Sequence, residues 1–204
     1  WHVRKYLLQT KVVLLTTGIM VFGGAFLFYL LERNALIADM SISGKILTSL
    51  FSSVTARTAG FNTVDTQALS DGSKLLTMIL MFIGGCPGST AGGVKTTTIM
   101  VLLLYVHSNV KRTYSINIFG RRLEEEAVKR AGAICTINLA LALSVALAIM
   151  AIQPLPLTDT LFEAFSAIGT VGMTTGITRD LLPVSRLLIA FLMYCGRIGS
   201  MSFA

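Results

Sequence analysis

The chain has 204 residues, 53% of them hydrophobic and only 13% charged, with a mean hydropathy of +0.73 and a net charge of +7. A soluble domain carries roughly 25% charged residues, so this composition excludes an ordinary soluble enzyme and points to the bilayer as solvent. The positive charge does not form a nucleic-acid surface: Arg4, Lys5 and Lys11 precede the first apolar run, and Lys111, Arg112, Arg121, Arg122, Lys129 and Arg130 share one connecting segment. That is the positive-inside pattern, which places the N-terminal end and the 107–130 segment in the cytoplasm.

Val12 to Leu31 is an uncharged run of 20 residues, enough for one membrane-crossing helix at about 1.5 Å per residue. Ile46 to Thr55 is apolar but only ten residues long, too short to cross about 30 Å of hydrocarbon, so it predicts a surface or re-entrant helix. Leu75 to Val106 is long enough to span but is interrupted by Gly84-Gly85-Cys86-Pro87-Gly88-Ser89-Thr90-Ala91-Gly92-Gly93. Ala131 to Ile152 is the second uninterrupted span, Leu161 to Ile168 a second short helix, and Leu187 to Ala204 a last span with Arg197 inside it. The leading run has no small-residue cleavage site after it, which argues against a signal peptide. Trp1 stands where a Met is expected and Ala204 lies within an apolar run, so both ends read as cuts in a longer polypeptide. Cys86, Cys135 and Cys195 lie in apolar segments without CxxC spacing and read as free buried thiols.

An internal repeat organises these elements. Gly60 pairs with Gly172, Lys74 with Arg186 and Met81 with Met193, each at an offset of 112 residues. Thr58-Ala59-Gly60-Phe61-Asn62 thereby aligns with Thr170-Val171-Gly172-Met173-Thr174, and Cys86-Pro87-Gly88-Ser89 matches Arg197-Ile198-Gly199-Ser200 after a one-residue slip. Each unit reads as span, outer loop, short helix, glycine loop, span. Both units then have the same orientation, with their glycine loops opposite the basic segment. Arg33, Lys45, Arg57, Lys74, Arg179 and Arg186 fall on that outer side.

An irregular loop at membrane depth survives only where it faces protein or a watery cavity, because its backbone polar groups lack helical partners. Carbonyls aimed into a cavity replace the hydration shell of a monovalent cation. Glycine at Gly60 and Gly172 suits such a turn, since a residue without Cβ redirects its carbonyl at little steric cost. Thr170-Val171-Gly172 also repeats the first three residues of the Thr-Val-Gly-Tyr-Gly filter of potassium channels.

The stretches from Ala56 through Thr63, from Gly84 through Thr96, and Cys195-Gly196-Arg197-Ile198-Gly199 resemble the Trk/Ktr/HKT superfamily of potassium transporters, most of all its Ktr-type membrane subunit (KtrB/TrkH-like). The resemblance covers nearly the whole chain. It implies an all-α polytopic membrane protein of four non-identical span–pore loop–span repeats around one potassium-channel-like pore. Residues 1–106 resemble the third repeat with a broken second span, and residues 131–204 a truncated fourth, joined by the cytoplasmic loop 107–130. The first two repeats are missing partners. The implied selectivity filter takes ions at Thr58, Ala59, Gly60, Phe61 and Asn62 and at Thr170, Val171, Gly172, Met173 and Thr174. The implied gate is Gly84, Gly85, Pro87, Gly88, Ser89, Thr90, Ala91, Gly92 and Gly93, with Lys95 and Arg197 beside it. The expected activity is potassium uptake across the plasma membrane with no enzymatic step and no covalent cofactor, the transported ion being K+, with sodium stimulation or a sodium or mixed-ion transporter as the alternative. Expected partners are the lipid bilayer, a second copy in a homodimer and a cytosolic nucleotide-binding regulatory subunit.

Several residues carry two readings. Lys95 serves either the gate or snorkelling to an interface; Arg197, an ionisable group at membrane depth, acts by repulsion in the pore or by bonding loop carbonyls. Glu124-Glu125-Glu126 is a solvated helix face or a docking surface. Asp65, Asp71, Asp159, Glu163 and Asp180 read as outer-loop carboxylates that concentrate cations at the mouth or simply solvate the interface. Gly88 to Thr96 also approaches the phosphate-loop pattern of nucleotide-binding enzymes, but Val94 separates Gly93 from Lys95 and no soluble strand precedes it. His2 and His107 are the only histidines and sit near membrane edges, which gives a metal enzyme no support.

Overall fold

The computed structural model describes residues 8–89, 91–111, 117–118, 121–122 and 125–201. Seven helices carry the described fold: α1 (Leu8–Glu32), α2 (Ile42–Thr55), α3 (Asp71–Phe82), α4 (Thr96–Val110), α5 (Glu125–Ile152), α6 (Leu157–Ile168) and α7 (Pro183–Met201). The fold is all-helical apart from a two-residue antiparallel ladder, Asn117–Ile118 with Arg121–Arg122, in the connecting segment. That segment is shorter than 107–130, because α4 runs on to Val110 and α5 begins at Glu125.

Length separates two kinds of helix. α1 has 25 residues and α5 has 28, both beyond the roughly 20 needed to cross a bilayer. Their most apolar windows are only 28% buried, with mean hydropathies of 2.0 and 2.3. Phe22, Leu14 and Leu147 stand exposed on them, an arrangement that hydrocarbon favours and water penalises. α2 and α6, with 14 and 12 residues, cannot cross.

Both short helices begin four residues before the uncharged runs that predict them. Ser41 caps α2 by accepting a bond from the Gly44 amide at 3.2 Å. Pro156 precedes α6, whose first turn holds Asp159 in the favoured acidic position. Polarity within a short helix therefore did not mark its end.

The sequence repeat is also a structural one. Glu32 at the end of α1 accepts the Ser70 amide at 3.0 Å, and Gln153 just beyond α5 accepts the Leu182 amide at 3.1 Å. Ser70 and Leu182 are related by the 112-residue offset, so each unit ties its first span to the start of its last one by the same bond. Glu32 is fully buried and bonds Ser70 Oγ as well, satisfying a carboxylate that burial alone would penalise.

One core cluster fills the second unit and another joins the two units. Ala142, Val145, Ala146 and Ile149 of α5 pack on Ala164, Ala167 and Ile168 of α6 and on Ile189 and Leu192 of α7. A second cluster crosses between units, joining Met78, Leu80 and Met81 of α3 to Phe162 of α6 and to Val171 and Met173. Phe82 and Phe165 meet edge to face at 5.7 Å across the same seam. Lys74, expected among the outer-side basic residues, is instead buried and paired with Asp159 of α6 at 3.0 Å, their side chains 10% and 19% exposed. Lys74→Met is expected to lower stability by about 3 kcal/mol, because it leaves Asp159 unpaired. Adding Asp159→Leu is expected to restore most of that loss. Thermal unfolding in detergent checks both, and a single variant as stable as the parent contradicts the pairing's importance.

Candidate pore loops

Each glycine loop leaves its short helix by the same backbone device. The amides of Ala59 and Gly60 both return to the Thr55 carbonyl at 3.1 Å, and that of Val171 returns to Ser166 at 2.9 Å. These bonds satisfy the open carbonyls at a helix C-terminus. Thr58 and Gly60 have φ of 79° and 78°, and Thr170 and Gly172 have 53° and 87°, while Ala59 and Val171 between them do not take positive values. Alternating hand gathers successive amides on one side of the chain and turns the carbonyls to the other. The expected filter residues Thr58, Ala59 and Gly60, and Thr170, Val171 and Gly172, therefore share one alternating backbone pattern. Left-handed φ at two threonines is itself uncommon and marks a strained, held conformation.

Phe61 and Met173 follow these triplets. The Thr55 hydroxyl donates to Phe61 O at 2.7 Å and the Ser166 hydroxyl to Met173 O at 2.6 Å, so both carbonyls are engaged by the short helix behind. Asn62 lies at the outer end of the first loop, its side chain exposed. The Thr174 side chain points into the scaffold of the second, where it bonds Glu163, Thr178 and the Gly176 amide.

The two loops touch. A Cβ built on Gly60 falls 2.1 Å from the Val171 carbonyl oxygen, whereas one on Gly172 meets nothing within 4 Å. Glycine is therefore required at Gly60 by both conformation and space, and at Gly172 by conformation.

Between α3 and α4 the glycine-rich tract folds as a closed loop spanning Ile83 to Lys95, slightly longer than Gly84 to Gly93. Its neck is set by Val94 N donating to Phe82 O at 3.1 Å and Thr96 N to Gly85 O at 3.2 Å. A Cβ at Gly84 falls 2.1 Å from Gly92 O, and one at Gly85 falls 2.6 Å from the Ala91 Cβ, so the neck closes only with glycines. Pro87 and Gly88 form the turn at the tip, where Gly88 has φ 79° and the Ser89 hydroxyl donates to Cys86 O at 2.6 Å. Ala91, Gly92 and Gly93 are buried. Gly92 N donates to Thr170 Oγ1 at 2.9 Å, which places this tract directly against the second glycine loop. Thr90 lies outside the described residues.

Lys95 bends back over this loop and donates to Ala91 O at 2.5 Å and Ser89 O at 3.4 Å. Its ammonium thus serves the tract's own carbonyls, and the helix α3 rather than a strand precedes the tract, which disfavours a phosphate-binding role. Arg197 of α7 is exposed, and its charge acts on Lys95. Two cations therefore share one side of the tract.

The predicted outer-loop carboxylates divide. Asp65 accepts the Gln67 amide at 3.0 Å in an exposed turn, Asp71 opens α3 and Asp180 closes a 3-10 turn, Ile177–Asp180. Asp159 and Glu163 do not belong to a loop at all: both lie within α6, the first paired with Lys74, the second 5% exposed beneath the second glycine loop. An acidic residue in a short apolar helix has no local mark that distinguishes a mouth position from a buried one. A cavity of about 750 Å³ opens at this outer end, its wall including Asn62, Asp65, Thr66, Glu163, Gly172 and Thr175. At the other end Glu126 and Arg130 pair at 3.2 Å on an exposed first turn of α5, a solvated face; Glu124 lies outside the described residues. The three cysteines are free, each partly buried.

Membrane-length helices, short helices that end in carbonyl-bearing loops and a same-orientation repeat define a polytopic membrane protein of span–pore loop–span units. The TrkH family model, described as cation transport protein, matches residues 5–204. The chain belongs to that family. It is 40% identical over 206 residues to the potassium/sodium uptake protein NtpJ of Enterococcus hirae, covering 98% of this chain and 46% of that protein. It is 32% identical over 202 residues to the Ktr system potassium uptake protein B of Bacillus subtilis, covering 98% of this chain and 45% of that protein. The fold matches the crystal structure of the potassium transporter TrkH from Vibrio parahaemolyticus with a TM-score of 0.74 at 22% identity, over 92% of this chain and 42% of that one. The chain thus spans under half the length of these relatives, which are named as potassium uptake proteins and a potassium transporter.

Proposed function

We propose that this chain is one half of a cation-conducting pore, its third and fourth repeats, and that the whole protein takes up potassium down its electrochemical gradient across the plasma membrane. The observation that carries the reading is the pair of alternating-hand loops at one repeat offset, with Thr58 and Gly60 matched by Thr170 and Gly172 in left-handed φ. Their six carbonyls supply half of a selectivity filter, and the missing repeats supply the rest. Ile83 to Lys95 is the gate, seated against the filter through Gly92 and Thr170. Lys95 holds it shut by its own carbonyls, and Arg197 keeps a second cation beside it. The basic segment after α4 faces the cytoplasm and offers the docking face for a regulatory subunit.

A sodium-linked reading is favoured by one relative, whose name joins potassium and sodium. The full-length parent, expressed in cells that lack their own potassium uptake, is expected to restore growth at low potassium. Growth restored equally by parents carrying Gly60→Ser together with Gly172→Ser contradicts the filter assignment. This half alone is expected not to conduct selectively, since two carbonyl sets are absent from it.

A further inference from the structure

The two glycine loops share a backbone but not a foundation. Beneath the second loop Glu163 accepts the Thr174 hydroxyl. Thr174 relays this grip, contacting Thr178 Oγ1 at 2.9 Å and accepting the Gly176 amide at 2.9 Å. One turn along the same face of α6, Ser166 holds the Met173 carbonyl. Two successive turns of α6 therefore pin the loop's outer end, from Met173 to Thr178, immediately after the Gly172 carbonyl.

The first loop has the hydroxyl but no acid. Thr55 holds Phe61 O, yet neither Ser52 nor Phe51, which stand 111 and 112 residues before Glu163, is an acid, and the positions equivalent to Thr174 and Thr178 are Asn62 and Thr66. Thr66 is buried with no bonding partner for its hydroxyl among the described residues. A buried hydroxyl at that place in one unit is idle, while its counterpart in the other contacts Thr174, which in turn bonds a carboxylate. The anchor is specific to the second loop.

We infer that Glu163 is a positioning residue for ion preference: it fixes the carbonyl row of the second loop at the outer end and makes the pore unequal around its axis. Hydrogen bonds to a carboxylate are shorter and about twice as strong as neutral ones, and here one from Thr174 ties a cluster that includes Thr178 and the Gly176 amide to a buried acid. A row held this firmly resists closing around a smaller ion. Among the described residues the first loop shows the Thr55 hydroxyl bond and no carboxylate anchor. The proposal rests on the filter reading above and names which side chain enforces it.

The test is made in the full-length parent, in membrane vesicles, with uptake of rubidium as the potassium probe and of sodium measured separately. Glu163→Gln keeps the shape but loses the charge, and Glu163→Asp keeps the charge but loses the reach. Both are expected to lower the rubidium-to-sodium ratio by about tenfold, the loss of a hydrogen bond to a charged group. Thr178→Val, which removes one partner and leaves the acid, is expected to give a smaller fall in the same direction. A purely structural role lowers protein amount and maximal rate and leaves the ratio untouched; that result overturns the proposal. If the Glu163 variants fail to accumulate, an unchanged ratio in Thr178→Val overturns it instead. Gly172→Ser is run in parallel: a shifted ratio there with an unchanged one in Glu163→Gln defeats this inference alone, whereas no shift in either defeats the filter reading as well.

Discussion

Gly60→Ser in the full-length parent is expected to collapse discrimination between potassium and sodium. Serine must adopt φ near +78° at this position, which costs about 1–3 kcal/mol for a residue with a side chain. Its Cβ must also displace the Val171 carbonyl, whose oxygen lies 2.1 Å from the built atom. That oxygen belongs to the other loop's proposed filter row, so one substitution disturbs both loops. An energy of this size spent on the ion-bound geometry is roughly a 5- to 150-fold change in preference. Gly172→Ser meets only the conformational cost within this half and is expected to have the smaller effect. Paired uptake measurements with rubidium and sodium check both, and equal, parent-like ratios sink the assignment of Gly60 to the filter.

Removing Gly88 through Ala91 from the tract between α3 and α4 is expected to raise cation flux severalfold. The deletion takes away the tip and both carbonyls that receive Lys95, namely those of Ser89 and Ala91. Without them the ammonium has nothing to close against, and the loop loses the hydrogen-bonded turn at Ser89. Gly84→Ala makes the same point with one atom, because its Cβ strikes Gly92 O at the neck. The neck can relieve this only by parting, and flux is expected to rise less than in the deletion. Initial uptake rates at matched protein amounts decide the matter. Unchanged or lower flux in the deletion, with normal expression, refutes the gate.

Much of the architecture was legible before any coordinates. Val12 to Leu31 and Ala131 to Ile152 are uninterrupted apolar runs, and the structure makes them α1 and α5 with only their ends extended. Span length is a local property, since each helical residue adds a fixed rise and each charge a large cost in hydrocarbon. The break at Gly84 to Gly93 was equally plain, because that density of glycine together with Pro87 cannot sustain a helix. Errors gathered at polar residues inside short helices. The first turns of α2 and α6 contain Ser43, Lys45, Thr158 and Asp159, which read as loop and are helix.

The glycine loops mark the boundary between the two kinds of knowledge. Their position, their pairing at one offset and their need for Gly60 and Gly172 followed from the sequence alone, because repeat spacing and backbone conformation are written locally. What the loops rest on did not. Gly92 reaches Thr170 across 78 residues and Lys74 reaches Asp159 across 85, and Glu163, in the wall of the outer cavity, accepts the Thr174 hydroxyl. Such contacts depend on how far each helix is rotated and how it crosses its neighbour, which packing of the whole core decides.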